Sequence, residues 1–162
     1  MIEIICKVYR KIINIIVITY WKLKYGKRIK IGKNVSFRKG MIINISANGQ
    51  LSIGDNVFFN NYCSINVHRK LVIGNGNIFG ENVKIYDHDH AFHSKDFQRN
   101  FYDGEIIIGD NNWFCSNVII LRKAKLGNDN VIGAGVVLNT EVDNDILIKN
   151  KNEITFDKIE RK

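Results

Sequence analysis

The stretch IIIGDNNWFCSNVIILRKAKLGNDNVIGAGVVLNTEV, Ile106 to Val142, decides how this 162-residue chain folds. Stepping by six from Ile108 lands on Phe114, Ile120, Leu126, Ile132 and Leu138, every one apolar. Smaller residues, Val118, Ala124 and Val136, stand four places after Phe114, Ile120 and Ile132. A second apolar position therefore recurs in the same period. Two apolar positions in every six, with Gly, Asn and Asp between them, describe very short strands joined by tight corners. Three such strands close one triangular coil, and stacked coils bury a continuous core.

The same period runs back through the chain. Ile31, Phe37 and Ile43 form one unit, Ile53, Phe59 and Ile65 a second, and Ile73, Phe79 and Ile85 a third. Val35, Val57, Cys63 and Val83 take the second position. Units begin at Ile31, Ile53, Ile73, Ile108 and Leu126, so four extra residues precede Ile53, two precede Ile73 and seventeen precede Ile108. The largest insertion is the one that holds KIYDHDHAFHSKDFQ, residues 84–98; that stretch carries three of the four histidines and three of the sixteen acidic residues. A long excursion from a regular solenoid is either functional or a disordered polar loop. Its residues suit a metal cage, a general base or a solvated surface.

The net charge of +8 is uneven: Met1 to Lys30 holds eight Lys and Arg against Glu3, and the remainder holds sixteen basic and fifteen acidic residues. A basic N-terminus meets phosphates or anionic lipid, and the near-neutral body carries no nucleic-acid-binding motif. Cys6, Cys63 and Cys115 are far apart, odd in number and without a C-x-x-C, which fits a reducing compartment rather than a disulfide framework or zinc ribbon. The apolar run Ile12 to Trp21 is about half the length of a membrane span, and no small-residue cleavage site follows it. Ile5, Val8, Tyr9, Ile12, Ile13, Ile16, Val17 and Tyr20 recur at helical spacing, which predicts a helix over residues 2–21. Ordinarily such a face packs on the protein body. Ile15 and Ile18 widen it, however, and cations flank it on both sides, the pattern of a helix lying on an anionic membrane face.

Eight or more hexads in register, with Trp113 and the Gly-Ala-Gly at 133–135, resemble the hexapeptide-repeat acyltransferases, a family that includes galactoside, maltose and polysaccharide O-acetyltransferases. The resemblance covers Ile31 to Asp145. It implies an all-β solenoid, a left-handed parallel β-helix of about five coils with an N-terminal α-helix and a loop excursion near 86–105. The expected parts are a helical segment at 1–28, the β-helix domain at 29–146 and a tail at 147–162. The resemblance further implies acetyl-CoA as acyl donor, a sugar or glycan hydroxyl as acceptor, no metal, and a homotrimer with sites between subunits. It makes His88 the general base, since an imidazole titrating near neutrality can take the proton that keeps a sugar hydroxyl a poor nucleophile. The Ser116 amide becomes the oxyanion donor, with Trp113 and Ala134 beside the coenzyme. Asn60, Asp87 and His90 are expected to contact the acceptor, with Asp87 and Asp89 also tuning or orienting the surroundings of His88.

The chain departs from the family pattern at Cys115, where a glycine is usual, and at KNKNE, Lys149 to Glu153, where a cofactor-holding G-N-P-A-K usually stands. His68 replaces an acidic acceptor contact. Other readings stay open: N-acetylation of an amino sugar, a zinc site drawn from His68, His88, His90 and His93, and a non-catalytic scaffold. The expected location is the cytoplasm, with peripheral association at the inner membrane face through residues 2–21.

Overall fold

The computed structural model describes residues 2–151. Most of the expected tail, from Asn152 onward, lies outside the described residues. Helix α1 (Ile2–Tyr25) leads through a short 3-10 turn, Gly26–Arg28, into the solenoid. The first coil is β1 (Ile29–Ile31), β2 (Ser36–Phe37) and β3 (Ile42–Ile45). The second is β4 (Gln50–Ile53), β5 (Phe58–Phe59) and β6 (Ser64–Val67), and the third is β7 (Lys70–Ile73), β8 (Ile78–Phe79) and β9 (Lys84–Tyr86). The excursion follows as β10 (His88–His90) and β11 (Phe101–Asp103). Next come β12 (Glu105–Ile108), β13 (Trp113–Phe114) and β14 (Ile119–Leu121), then β15 (Lys125–Leu126), β16 (Val131–Ile132) and β17 (Val137–Leu138). Strands β18 (Glu141–Val142) and β19 (Leu147–Ile148) begin a sixth coil, so the stack exceeds the expected five by two strands.

Like strands stack in parallel, giving three ladders that form the faces of a triangular prism: a first of six strands from β1 to β18, a second of six from β2 to β19 and a third of five from β3 to β17. The hexad residues point inward. Ile65, Phe79, Phe114, Ile120 and Ile132 are fully buried, and Val57, Val118 and Ala124 fill the corners between them. Phe59, Phe79 and Phe114 stack face to face with successive centroids 4.6 Å apart, close to the strand spacing of a sheet. The Gly after each unit's first aliphatic residue answers to close approach: a Cβ on Gly54 would stand 2.6 Å from Asn75 Oδ1 and 2.7 Å from the Gly74 carbonyl carbon. Asn34, Asn56, Asn82 and Asn117 hold corners at positive φ, where Asn is tolerated better than most side chains.

Helix α1 seals the open end of the first coil. Trp21 and Tyr25 are buried; the Trp21 ring lies 5.0 Å from that of Phe37, and Tyr25 Oη donates to the Ile43 carbonyl at 2.7 Å. The helix runs four residues past the expected Trp21 because these contacts hold its last turn, and it stops where Gly26 adopts φ +54°. Its described contacts with the core come from the C-terminal half, through Val17, Ile18, Trp21 and Tyr25. Ile5, Val8, Ile12, Ile15 and Ile16 remain more than half exposed. No described helix is long and apolar enough to cross a membrane.

Candidate active site

His88 begins the excursion, and its neighbour Asp87 fixes it. Asp87 follows β9 at the place that Ile45 and Val67 occupy on the coils before it. There it is 1% exposed. A carboxylate buried to this degree requires donors, and the corner of the preceding coil supplies them. Asp87 Oδ1 accepts the His68 N–H at 2.7 Å, while Oδ2 accepts those of Arg69 and Lys70 at 2.7 and 2.9 Å. Oδ1 also lies 3.0 Å from His88 Nδ1. An ionised carboxylate can only accept, so this contact puts the proton on Nδ1 and leaves Nε2 with a free lone pair. Asp87 therefore holds His88 and the corner together. It is too deeply buried, and too fully bonded, to be the acceptor contact expected of it.

His68 sits one coil below, in register with His88. The two rings stack at 3.6 Å, nearly parallel. Phe101 meets both edge-on, at 4.4 Å from His68 and 5.5 Å from His88. The packing is strong enough to lower the His68 pKa, first through burial and then through His88, against Asp103 and Asp87, which raise it. This partnership was missed from sequence, although His68 and His88 are twenty residues apart, the same interval as Ile53 and Ile73.

The excursion itself is an ordered hairpin rather than a loose loop. His88 pairs with Asp103, Asp89 with Tyr102 and His90 with Phe101. The Gly104 N–H closes its base on the Asp87 carbonyl at 2.7 Å. Arg122, on the following coil, forms an ion pair with Asp89 and lies over the Tyr102 ring. His90 is exposed near the tip, with Nδ1 2.9 Å from the Phe97 carbonyl. Among the described residues, no three His, Cys, Asp or Glu side chains are grouped to hold a metal ion.

The remaining expected residues lie on a different edge of the prism. His88 stands where the third face turns into the first; Asn60, Ser116 and Ala134 stand where the second turns into the third. Ser116 and Ala134 are neighbours on successive coils, and the Gly135 N–H donates to the Ser116 carbonyl at 3.1 Å. The Ser116 N–H has no acceptor among the described residues. Trp113 is 52% exposed on the second face. Asn60 Oδ1 accepts from the Asn61 N–H at 2.8 Å and from Arg38 at 3.3 Å, so it braces its own corner. Crossing the third face takes about five residues, or roughly 15 Å. One chain therefore does not bring His88 and Ser116 together.

The family described as bacterial transferase hexapeptide (six repeats) matches residues 105–140. Galactoside O-acetyltransferase of Lactococcus lactis subsp. lactis (strain IL1403) is 29% identical over 118 residues, which cover 72% of this chain and 49% of that protein. The crystal structure of a maltose O-acetyltransferase from Clostridium difficile 630 superposes with a TM-score of 0.63 at 25% identity, covering 74% of this chain and 64% of that one. A hexapeptide-repeat acetyltransferase of Vibrio cholerae O1 biovar eltor, solved in complex with acetyl coenzyme A, gives the same TM-score at 24% identity, with 73% and 64% covered. The chain spans about half to two thirds of the length of the curated relatives it matches. Repeat, fold and relatives agree: residues 105–140 match the bacterial transferase hexapeptide family, and the chain is similar over about three quarters of its length to hexapeptide-repeat acetyltransferases.

Proposed function

We propose that the chain transfers an acetyl group from acetyl-CoA to a hydroxyl of a sugar or glycan precursor. The observation that carries this reading is the buried Asp87 carboxylate on His88 Nδ1, which presents Nε2 as a base. In the proposed reaction Nε2 takes the hydroxyl proton as the oxygen attacks the thioester carbonyl. The carbonyl oxygen gains charge and accepts from the Ser116 N–H. Collapse breaks the carbon–sulfur bond, and the departing thiolate receives the proton from His88. Asp87 faces the imidazolium formed in between, with opposite charge.

Because His88 and Ser116 lie on different edges, the reading requires a second copy of the chain to complete each site, and a threefold assembly supplies three equivalent clefts. Exposed Trp113 and Ala134 would then line the coenzyme side, and His90 the acceptor side. We also assign α1 a docking role: its exposed apolar residues, flanked by Arg10, Lys11, Lys22 and Lys24, suit an anionic membrane surface. The test of the reaction is thiol release from acetyl-CoA across a panel of oligosaccharides and nucleotide sugars. A base-labile ester is the expected product. A base-stable amide would assign the amine of an amino sugar instead, and no thiol release with any acceptor would reject the reading.

A further inference from the structure

The groove leading to His88 reaches Lys24 at its other end. Its volume is about 330 Å³, with Asn44, Ser46, Asn66, His68 and His88 along it and Lys24 at the end nearest α1. Its polar wall is a ladder: Asn44 Nδ2 donates to Asn66 Oδ1 at 2.9 Å, and Ser46 Oγ to the His68 carbonyl at 3.0 Å. Ser46, His68 and His88 occupy one place on three successive coils, so two strand spacings, about 10 Å, separate Ser46 from His88. Lys24 lies beyond Ser46, its Nζ 4.9 Å from the Tyr25 ring centroid. That span exceeds a single hexose ring.

Charge divides the groove. At the histidine end, Asp87 is taken up by three backbone N–H groups, and Asp103 lies 3.6 Å from His68 Nδ1. At the other end, Arg28 is fixed by Nη1 donating to the Ile45 and Ser46 carbonyls at 3.1 and 2.6 Å. Those carbonyls are neutral, so the guanidinium keeps its charge. Neither Lys24 nor Arg28 pairs with a carboxylate among the described residues. Residues 4–54 contain eleven Lys and Arg and no acidic residue. An uncharged sugar would leave this end of the groove unused.

We infer that the groove takes a sugar carrying a phosphate or diphosphate ester, its reacting hydroxyl at His88 and its phosphoryl oxygens at Lys24. The ammonium group, which lies over the Tyr25 ring, can donate to those oxygens, and Arg28, held on the Ile45 and Ser46 carbonyls, adds fixed positive charge nearby. Exposed Tyr20 and Leu23 flank Lys24 on α1. A phosphate there would sit where apolar helix meets polar groove, the position of a phosphate linking a sugar to a lipid. A water-soluble sugar phosphate shares the same chemistry.

This inference rests on the role proposed for His88, and its test keeps the two apart. Calorimetric titration of the full chain with inorganic pyrophosphate should show saturable binding. Lys24→Gln should weaken it by about tenfold, the loss of one charge-assisted bond, and Lys27→Gln, outside the groove, should leave it unchanged. Equal weakening by both variants, or no binding, would overturn the inference. Competition against pyrophosphate by glucose 1-phosphate in solution, and by a polyprenyl diphosphate glucose in neutral vesicles, distinguishes the two sources. Competition by glucuronic acid as strong as by glucose 1-phosphate would overturn the phosphate assignment. Acetyl-CoA binding, measured on the same preparation, reports on the transferase reading by itself: a chain that binds acetyl-CoA without binding pyrophosphate overturns this inference alone.

Discussion

The imidazole rings of His68 and His88 stack with centroids 3.6 Å apart and planes 12° from parallel. Two imidazolium ions at that distance repel, so the pair accepts one proton more readily than two. Burial and His88 together hold the His68 pKa below its ordinary value of 6.5. A neutral His68 therefore offers its face to His88 in the proposed reaction, and fixes the plane in which Nε2 points.

A dependence of stability on pH follows. Between the lowered folded pKa of His68 and its ordinary value, the unfolded chain binds more protons there than the folded chain, so stability rises with pH across that window. The contribution is complete above about pH 6.5 and is lost as pH falls toward the folded value. Urea midpoints of the chain and of His68→Phe, compared at about pH 5 and about pH 7.5, should show the smaller acid loss in the variant. Equal loss in both would contradict the account of the stacked pair.

Asp87→Asn should damage both fold and catalysis. The new amide keeps one acceptor but turns an NH₂ toward backbone donors or toward His88, leaving a buried group unsatisfied. The expected cost is about 1–3 kcal/mol of stability, read from chemical denaturation. Turnover should fall as well, with the KM for acetyl-CoA little changed, because the tautomer of His88 is no longer imposed. An Asn variant with unchanged stability and turnover would show that the 3.0 Å contact is incidental.

Docking of α1 on a membrane is tested best by substitution. Deleting the helix would remove Trp21 and Tyr25 and expose the first coil. Ile12→Glu with Ile16→Glu changes only exposed positions. The unmodified chain should co-sediment with vesicles containing phosphatidylglycerol and less so with phosphatidylcholine alone; the double variant should stay in the supernatant. Equal recovery of both proteins in the supernatant at low salt would reject the membrane role.

The inward residues were legible because burial enforces their period. A shift of one place along any strand would carry Ile108, Phe114 or Ile120 to the solvent face, so the apolar hexad survives every insertion between units. Outward residues carry no such constraint. The stacking of His68 on His88 follows only once the twenty-residue step between coils is counted, and the separation of His88 from Ser116 requires knowing which corner each occupies. The hairpin of β10 and β11 was hidden because its tip, Ala91 to Asn100, is ten residues long and lacks the two-residue Asn-Gly signal of a tight turn. Asp87 was legible as a neighbour that orients His88, but its burial follows only from its inward place on the coil.

The central claim is that His88 Nε2 takes the proton from the acceptor hydroxyl. Steady-state acetyl transfer by His88→Ala, at saturating acetyl-CoA and with thermal stability measured alongside, tests it most directly. The account predicts turnover lower by about 10²–10⁴-fold with the melting temperature nearly unchanged. Full activity in that variant would contradict it.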